Sequence, residues 1–126
     1  MLNRVLVTGG NKGIGLEVVK RFLEIDYDVV VVGRDFSNFP FKDNAKITAI
    51  EYDLSDVDGL PKLVEQIGEI DTLINNAGYM QPKYTYDNYP KEAKEHIINV
   101  DLYTPVELMT LFSKDMKKRG YGKIVN

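Results

Sequence analysis

Apolar and polar positions along the chain change spacing repeatedly, from that of a buried strand to that of a helix and back. Val5-Leu6-Val7 is a continuous apolar run that stops at Thr8-Gly9-Gly10, the pattern of a strand covered on both faces. From Ile14 the apolar residues recur at Val18, Phe22 and Ile25, with Val19 and Leu23 beside them, while Glu17, Lys20, Arg21 and Glu24 take the other side. That spacing predicts a helix with one wet face. Val29 to Val32 places four β-branched residues in a row, which disfavours helix and predicts a second strand ending at Gly33. The stretch 36–44, with Pro40, predicts a loop with at most a short helix. Lys46 to Tyr52 predicts a third strand carried by Ile47, Ala49 and Tyr52. Leu60, Leu63, Val64 and Ile67 predict a second helix, with Asp58 near its start and Gly68 at its end; Pro61 is tolerated in the first turn, where N–H groups are spare. Ile70 to Ile74 predicts a fourth strand, broken by Asn75-Asn76-Ala77-Gly78.

From Pro90 to Lys118 the spacing predicts a long helical region with two apolar stripes. Ala93, Ile97, Val100, Leu108 and Leu111 form one; Ile98, Leu102, Met109, Phe112 and Met116 form the other. One stripe can face a sheet, and the second then needs cover from a partner protein or a second copy of the chain; a homodimer through the helix at 90–118 is expected. Gly120 and Gly122 lead into Lys123-Ile124-Val125-Asn126, the opening of a fifth strand. Strands alternating with helices require a parallel sheet covered on both faces, with right-handed crossovers. With 126 residues and no linker, repeat or low-complexity segment, the expectation is one α/β domain over 1–126.

Composition narrows the chemistry. The chain has no cysteine and one histidine, His96, which excludes a disulfide framework, a thiolate zinc site, an iron–sulfur cluster, a catalytic thiol and a histidine metal cluster, so no metal is expected. A formal charge of −3 argues against wide nucleic-acid contact. No apolar stretch reaches a membrane-spanning length, and Met1-Leu2-Asn3-Arg4 runs directly into a strand without a signal sequence. A soluble cytoplasmic protein is expected.

Thr8-Gly9-Gly10-Asn11-Lys12-Gly13-Ile14-Gly15 joins a buried strand to an amphipathic helix. In that setting glycines bring backbone close to a pyrophosphate, and the helix N-terminus supplies unpaired N–H groups and a positive dipole end. The plainer alternative is a tight turn with no ligand. The spacing differs from G-x-G-x-x-G and from the G-x-x-x-x-G-K-[ST] phosphate loop, since Leu16 follows Gly15.

Four marks in this order resemble the classical short-chain dehydrogenase/reductase family: the T-G-x-x-x-G-x-G turn at Thr8 to Gly15, Asp53-Leu54 after the third strand, Asn75-Asn76-Ala77-Gly78 after the fourth, and Gly-Lys-Ile-Val-Asn at Gly122 to Asn126. The resemblance implies a Rossmann-like three-layer α/β/α sandwich with a five-stranded parallel sheet of order 3-2-1-4-5, the nicotinamide cofactor lying across the carboxyl ends of the strands. It implies that Gly9, Asn11, Lys12, Gly13, Ile14 and Gly15 form the cofactor turn, and that Asp53 accepts a hydrogen bond from the adenine amino group. Leu54 would line the adenine pocket, and Asn76, Ala77 and Gly78 would pass beside the ribose and nicotinamide. The family's Ser and Tyr-x-x-x-Lys fall beyond Asn126, and Asp101 stands where the family's helix Asn is expected. No catalytic residue is assigned, and the chain is expected to bind its cofactor without turnover alone. The alternatives are an oxidoreductase of carbonyl or alcohol substrates completed by a C-terminal segment or partner chain, and a dimeric scaffold without cofactor.

The end of the second strand selects between the two nicotinamide cofactors, because it lies against the adenosine ribose. Gly33 stands there in place of an acid, followed by Arg34, whose planar fork suits a phosphate. Lys12 adds a second positive charge, and the resemblance of Val-Gly-Arg-Asp to the family's phosphate-preferring pattern implies that Asp35 falls one step beyond the ribose. NADP(H) is therefore expected over NAD(H). Pro105 has no N–H for the Asp101 carbonyl, so the helix should kink there; either the freed carbonyl binds a water, or the bend only follows the sheet and the Asp101 side chain points to water. Tyr79-Met80-Gln81-Pro82-Lys83 has the catalytic tyrosine-to-lysine spacing, but Pro82 disfavours the helical turn that chemistry needs. His96 is expected to be exposed or capping. Tyr84, Tyr86 and Tyr89 fit either a substrate mouth or a loop packed on the domain.

Overall fold

The computed structural model describes residues 2–80 and 82–126. Five parallel strands, β1 (Arg4–Thr8), β2 (Asp28–Gly33), β3 (Ile47–Glu51), β4 (Thr72–Ile74) and β5 (Lys123–Val125), form one sheet in the order β3-β2-β1-β4-β5. The expected strand order is therefore present. Register aligns Val5 with Val29 and Thr72, and Val7 with Val31 and Ile74. Successive side chains on β1 face opposite layers. Leu6 joins Val30, Val32, Ile50 and Leu73 beneath α2 (Leu60–Ile67) and α4 (Thr104–Arg119). Val5 and Val7 join Val29 and Val31 beneath α1 (Gly13–Glu24).

The segment between β2 and β3 contains no helix. It covers the sheet instead with Phe36 and Phe39, both buried, whose rings meet edge to face at 5.3 Å. On α1 the buried residues are Gly15 and Val19, while Ile14 and Ile25, expected on the apolar stripe, are 79% and 61% exposed. The third strand is shorter than its pattern, and Ile50 rather than Ala49 is its buried residue. The fourth strand starts at Thr72 instead of Ile70. Ile70 and Asp71 are buried ahead of it, with the Asp71 carboxylate accepting the N–H groups of Asn3 and Arg4 at 2.9 and 3.3 Å. Helix α2 starts after Gly59, with no side-chain cap; Asp58 does not cap it.

The long helical region is divided. Helix α3 (Lys91–Ile98) passes through a π-helical turn at Asn99–Tyr103 into α4. The N–H of Thr104 reaches five residues back to the Asn99 carbonyl. A π turn is one way a helix absorbs the donor missing at Pro105. The wider turn also changes which residues face inward. Val100, Thr104, Leu108, Phe112 and Met116 are buried, drawing on both expected stripes, whereas Ile98, Leu102 and Val106 stay exposed. Thr104 escapes an apolar count but is held inside because its hydroxyl donates to the Leu54 carbonyl at 2.6 Å.

This assignment of faces is testable by urea unfolding. Leu108→Ala, at a fully buried position, is expected to cost about 2–5 kcal/mol, and Ile98→Ala on the outer side less than about 0.5 kcal/mol. Equal losses would mean that the inner face is misassigned.

Candidate functional site

The carboxyl ends of β1, β2 and β4 open into a cleft of about 370 Å³. Its floor is where the glycine turn meets the chain leaving β4, and that meeting leaves no room for side chains. A Cβ on Gly15 would lie 2.3 Å from the Gly9 carbonyl oxygen and 2.4 Å from Asn76 Nδ2. Gly9 adopts φ +66°, and a Cβ there would lie 2.9 Å from Ala77 Cα. Thr8 and Asn76 fasten the two segments. The Thr8 hydroxyl oxygen accepts the N–H groups of Asn76 and Ala77 at 3.1 and 3.0 Å, and Asn76 Nδ2 donates to the carbonyls of Thr8 and Gly9 at 3.1 and 3.2 Å.

Helix α1 begins immediately beyond this turn, with Lys12 as its N-cap, no capping side chain and no acid in its first turn. Its first N–H groups therefore have no side-chain acceptor, and its positive end faces the cleft. Gly9, Asn11, Lys12, Gly13 and Ile14 line this part of the wall. Gly15 lies beneath the surface, as the point of contact rather than as lining. A backbone cradle of this kind fits a pyrophosphate.

At the second wall, Gly33, Arg34 and Asp35 leave β2. The Asn11 side chain occupies the space beside Gly33, where a Cβ would lie 2.5 Å from Asn11 Oδ1, and Asn11 Nδ2 donates to the Asp35 carbonyl at 2.9 Å. The Asp35 carboxylate turns to the Ser37 N–H at 2.9 Å. Its pKa is held below the ordinary carboxylate value by hydrogen bonds from the Ser37 backbone and side chain, with help from the charges of Lys12 and Lys42.

Asp53, Leu54 and Tyr52 form the third wall. Burial pushes the Asp53 carboxyl upward, but hydrogen bonds from the Ser55 N–H and hydroxyl at 3.0 and 2.8 Å, with the charges of His96 and Arg34, bring it below the ordinary value. Asp53 is thus an ionised acceptor at neutral pH. Thr104 and Asn99 hold this loop from the helical side, Asn99 Nδ2 donating to the Ser55 carbonyl at 3.4 Å.

Asn76, Ala77 and Gly78 close the cleft together with Tyr79, His96 and Val100. These last three, with Tyr52, are lining residues that sequence patterning missed. The only local signal was that Tyr79 directly follows Gly78. His96 is half-buried in the cleft wall rather than exposed or capping, its ring 4.1 Å from that of Tyr79 and inclined at 55°. Asp101 does not simply point to water: its Oδ1 accepts the Tyr79 N–H at 2.7 Å. Tyr84, Tyr86 and Tyr89 are not part of the cleft. Tyr89 packs near both of the others, at 5.7 and 6.1 Å, and Tyr86 is 91% exposed. Gln81, within the tyrosine-to-lysine spacing, lies outside the described residues. Tyr79 and Lys83 are not helical, and Lys83 Nζ lies over the Tyr84 ring at 5.3 Å. Among the described residues no group of three acidic or histidine side chains could hold a metal, and no helix is long and apolar enough to cross a membrane.

The chain is 35% identical to the ketoacyl reductase HetN of a Nostoc strain, over 97% of this chain and 46% of that protein. It is 30% identical to an acetoacetyl-CoA reductase of Paracoccus denitrificans, over all of this chain and 54% of the relative. Among solved structures, a short chain dehydrogenase/reductase family protein superposes with a TM-score of 0.85 at 31% identity, and a 4-hydroxyisoleucine dehydrogenase complexed with NADH with 0.90 at 25%. Each comparison covers 98% of this chain and 53% of the other. The chain thus spans about half the length of these relatives. The short chain dehydrogenase sequence profile matches residues 3–126. With that profile spanning the glycine turn, the order of the strands and the cleft at their carboxyl ends, the chain belongs to the short-chain dehydrogenase/reductase family.

Proposed function

We propose that this chain is the cofactor-holding part of an NADP(H)-dependent oxidoreductase, and that alone it binds the dinucleotide without turnover. The observation that carries the cofactor choice is the end of β2: Asn11 fills the space beside Gly33 where an acid would stand, and Arg34 and Lys12 border the same cleft. An acidic side chain there would accept from a free ribose hydroxyl and repel a phosphate. A guanidinium does the reverse.

In this reading the turn at Gly9 and Asn11 to Gly15 holds the pyrophosphate on backbone N–H groups. Asp53 accepts from the adenine amino group, Leu54 packs against the adenine, and Asn76, Ala77 and Gly78 flank the ribose and nicotinamide. When bound, the nicotinamide supplies or accepts a hydride. The proton that accompanies it needs a donor, and this chain offers none at the spacing the family uses except Tyr79 and Lys83, which do not lie on a helical turn. Asp101, at the position of the family Asn, is engaged with the Tyr79 backbone.

A second reading has its own support. Because the chain spans only about half the length of its relatives, further residues in the same or another polypeptide would complete an oxidoreductase of carbonyl or alcohol substrates. The reductase names of those relatives favour that substrate class. The exposed side of the helical region, with Ile98, Leu102 and Val106, supports a homodimer, since contiguous apolar surface favours association.

Three measurements test these readings. In equilibrium titrations the chain is expected to prefer NADPH to NADH, with Arg34→Ala weakening NADPH roughly tenfold, the loss of a charge-assisted contact, and NADH by less than about twofold. Equal losses would remove the assignment of Arg34. NADPH oxidation over a panel of aldehydes and ketones is expected to stay at background, and turnover by the purified chain would overturn the inactive reading. Sedimentation is expected to give a dimer that Leu102→Asp dissociates; a monomer at high concentration would remove the dimer.

A further inference from the structure

The exposed Arg34 side chain lies over an aromatic ring. Its Cζ lies 5.6 Å from the centre of the Tyr79 ring, within the range of a cation–π contact. Among the described residues the guanidinium makes no hydrogen bond or ion pair with the protein. The ring is itself braced on two sides. The Tyr79 backbone N–H donates to the Asp101 carboxylate at 2.7 Å, and the ring centre lies 4.1 Å from that of His96.

We infer that Tyr79 is a positioning residue for cofactor selection, its ring drawing in the Arg34 guanidinium by a contact that uses none of its N–H donors, so that these remain available to the phosphate on the adenosine ribose. The inference rests on the NADP(H) reading above and assigns it a further residue. A guanidinium presents donors in its plane and a weakly hydrated face perpendicular to it. An aromatic ring takes the face and leaves the donors unspent. A carboxylate in the same place would consume the donors and cancel the charge. Two carboxylates are close by: Arg34 acts electrostatically on Asp53, and Asp35 is its chain neighbour. Restraint by Tyr79 opposes collapse of the flexible arginine onto either acid, and Ser55 and Ser37 occupy those acids with other donors.

Asp101 thereby acquires a role that its position in the family pattern does not suggest. It pins the backbone at Tyr79 from the π turn, linking the helical region to the adenosine end of the cleft. Either an aspartate or an asparagine offers an Oδ1 for this contact, so the pinning does not depend on charge.

The test uses two fragments that differ only in the phosphate of interest, adenosine 2′,5′-bisphosphate and adenosine 5′-monophosphate, titrated calorimetrically into the chain and its variants. The wild-type chain is expected to prefer the bisphosphate. Tyr79→Leu is expected to lower the preference for the bisphosphate over the monophosphate by about two- to fivefold, the value of an exposed cation–π contact. Tyr79→Phe keeps the ring and should keep the preference. In an Arg34→Ala background Tyr79→Leu should have no further effect, because the ring acts through the arginine. Asp101→Ala should reproduce part of the Tyr79→Leu loss and Asp101→Asn none of it. A wild-type chain with no preference for the bisphosphate would overturn the NADP(H) reading itself. A wild-type preference that survives Tyr79→Leu, or a variant that loses both fragments equally with its circular dichroism intact, would overturn the role of Tyr79 while leaving that reading in place.

Discussion

The cleft depends on one close backbone approach, between the turn after β1 and the chain leaving β4. No side chain fits between Gly15 and the Gly9 carbonyl, so the start of α1 and the Asn76-Ala77 segment sit as near as main chains can pack. The Thr8 hydroxyl accepts two N–H groups across that seam, and Asn76 returns two bonds from its amide. Parallel pairing of Val7 with Ile74 brings the two chain exits level. The chain after β1 crosses one face of the sheet and the chain after β4 crosses the other. At such a reversal the exits diverge and leave a crevice, which is where open α/β sheets bind ligands.

Much of this was legible because its signals are local. Four consecutive valines specify β2 without help from the rest of the chain. A glycine turn between an apolar run and an amphipathic stretch declares both a strand end and a helix start. The helical region was harder for a stated physical reason. Sorting 90–118 by hydrophobicity assumes one uninterrupted phase, and the π turn before Pro105 breaks that phase. It also assumes that only apolar residues go inside, whereas Thr104 is buried because its hydroxyl satisfies the Leu54 carbonyl. The burial of Phe112 and Met116 beside Leu108 follows from these two effects together.

The contacts around Tyr79 were not legible at all. A lone histidine among charged helical residues and a tyrosine after a glycine carry no mutual signal in sequence. They meet because the fold brings α3 beside the residue that follows Gly78, placing His96 against a ring seventeen positions earlier. Asp101 is similar. Sequence identifies it as a departure from a family pattern, and only geometry gives its carboxylate a partner in the Tyr79 N–H. Residues whose meaning lies in nonlocal pairs escape any reading based on periodicity.

The end of β2 illustrates how one substitution constrains its neighbours. Asn11 bridges from the glycine turn to the Asp35 carbonyl, and its side chain takes the volume that any residue larger than glycine would need at position 33. Placing an acid at 33 would therefore require moving Asn11, and with it the contact joining the first turn to the second strand. The next carboxylate along the chain is Asp35, which accepts the Ser37 N–H. On the proposed NADP(H) reading, selectivity at this edge comes from the positive charge of Arg34 and Lys12, which line the same cleft. A cation on a long side chain discriminates poorly while it is free to choose among the acids around it, since its charge is cancelled before a ligand arrives. In the role inferred for Tyr79, a ring that takes none of those donors would resolve that conflict with the residues already present.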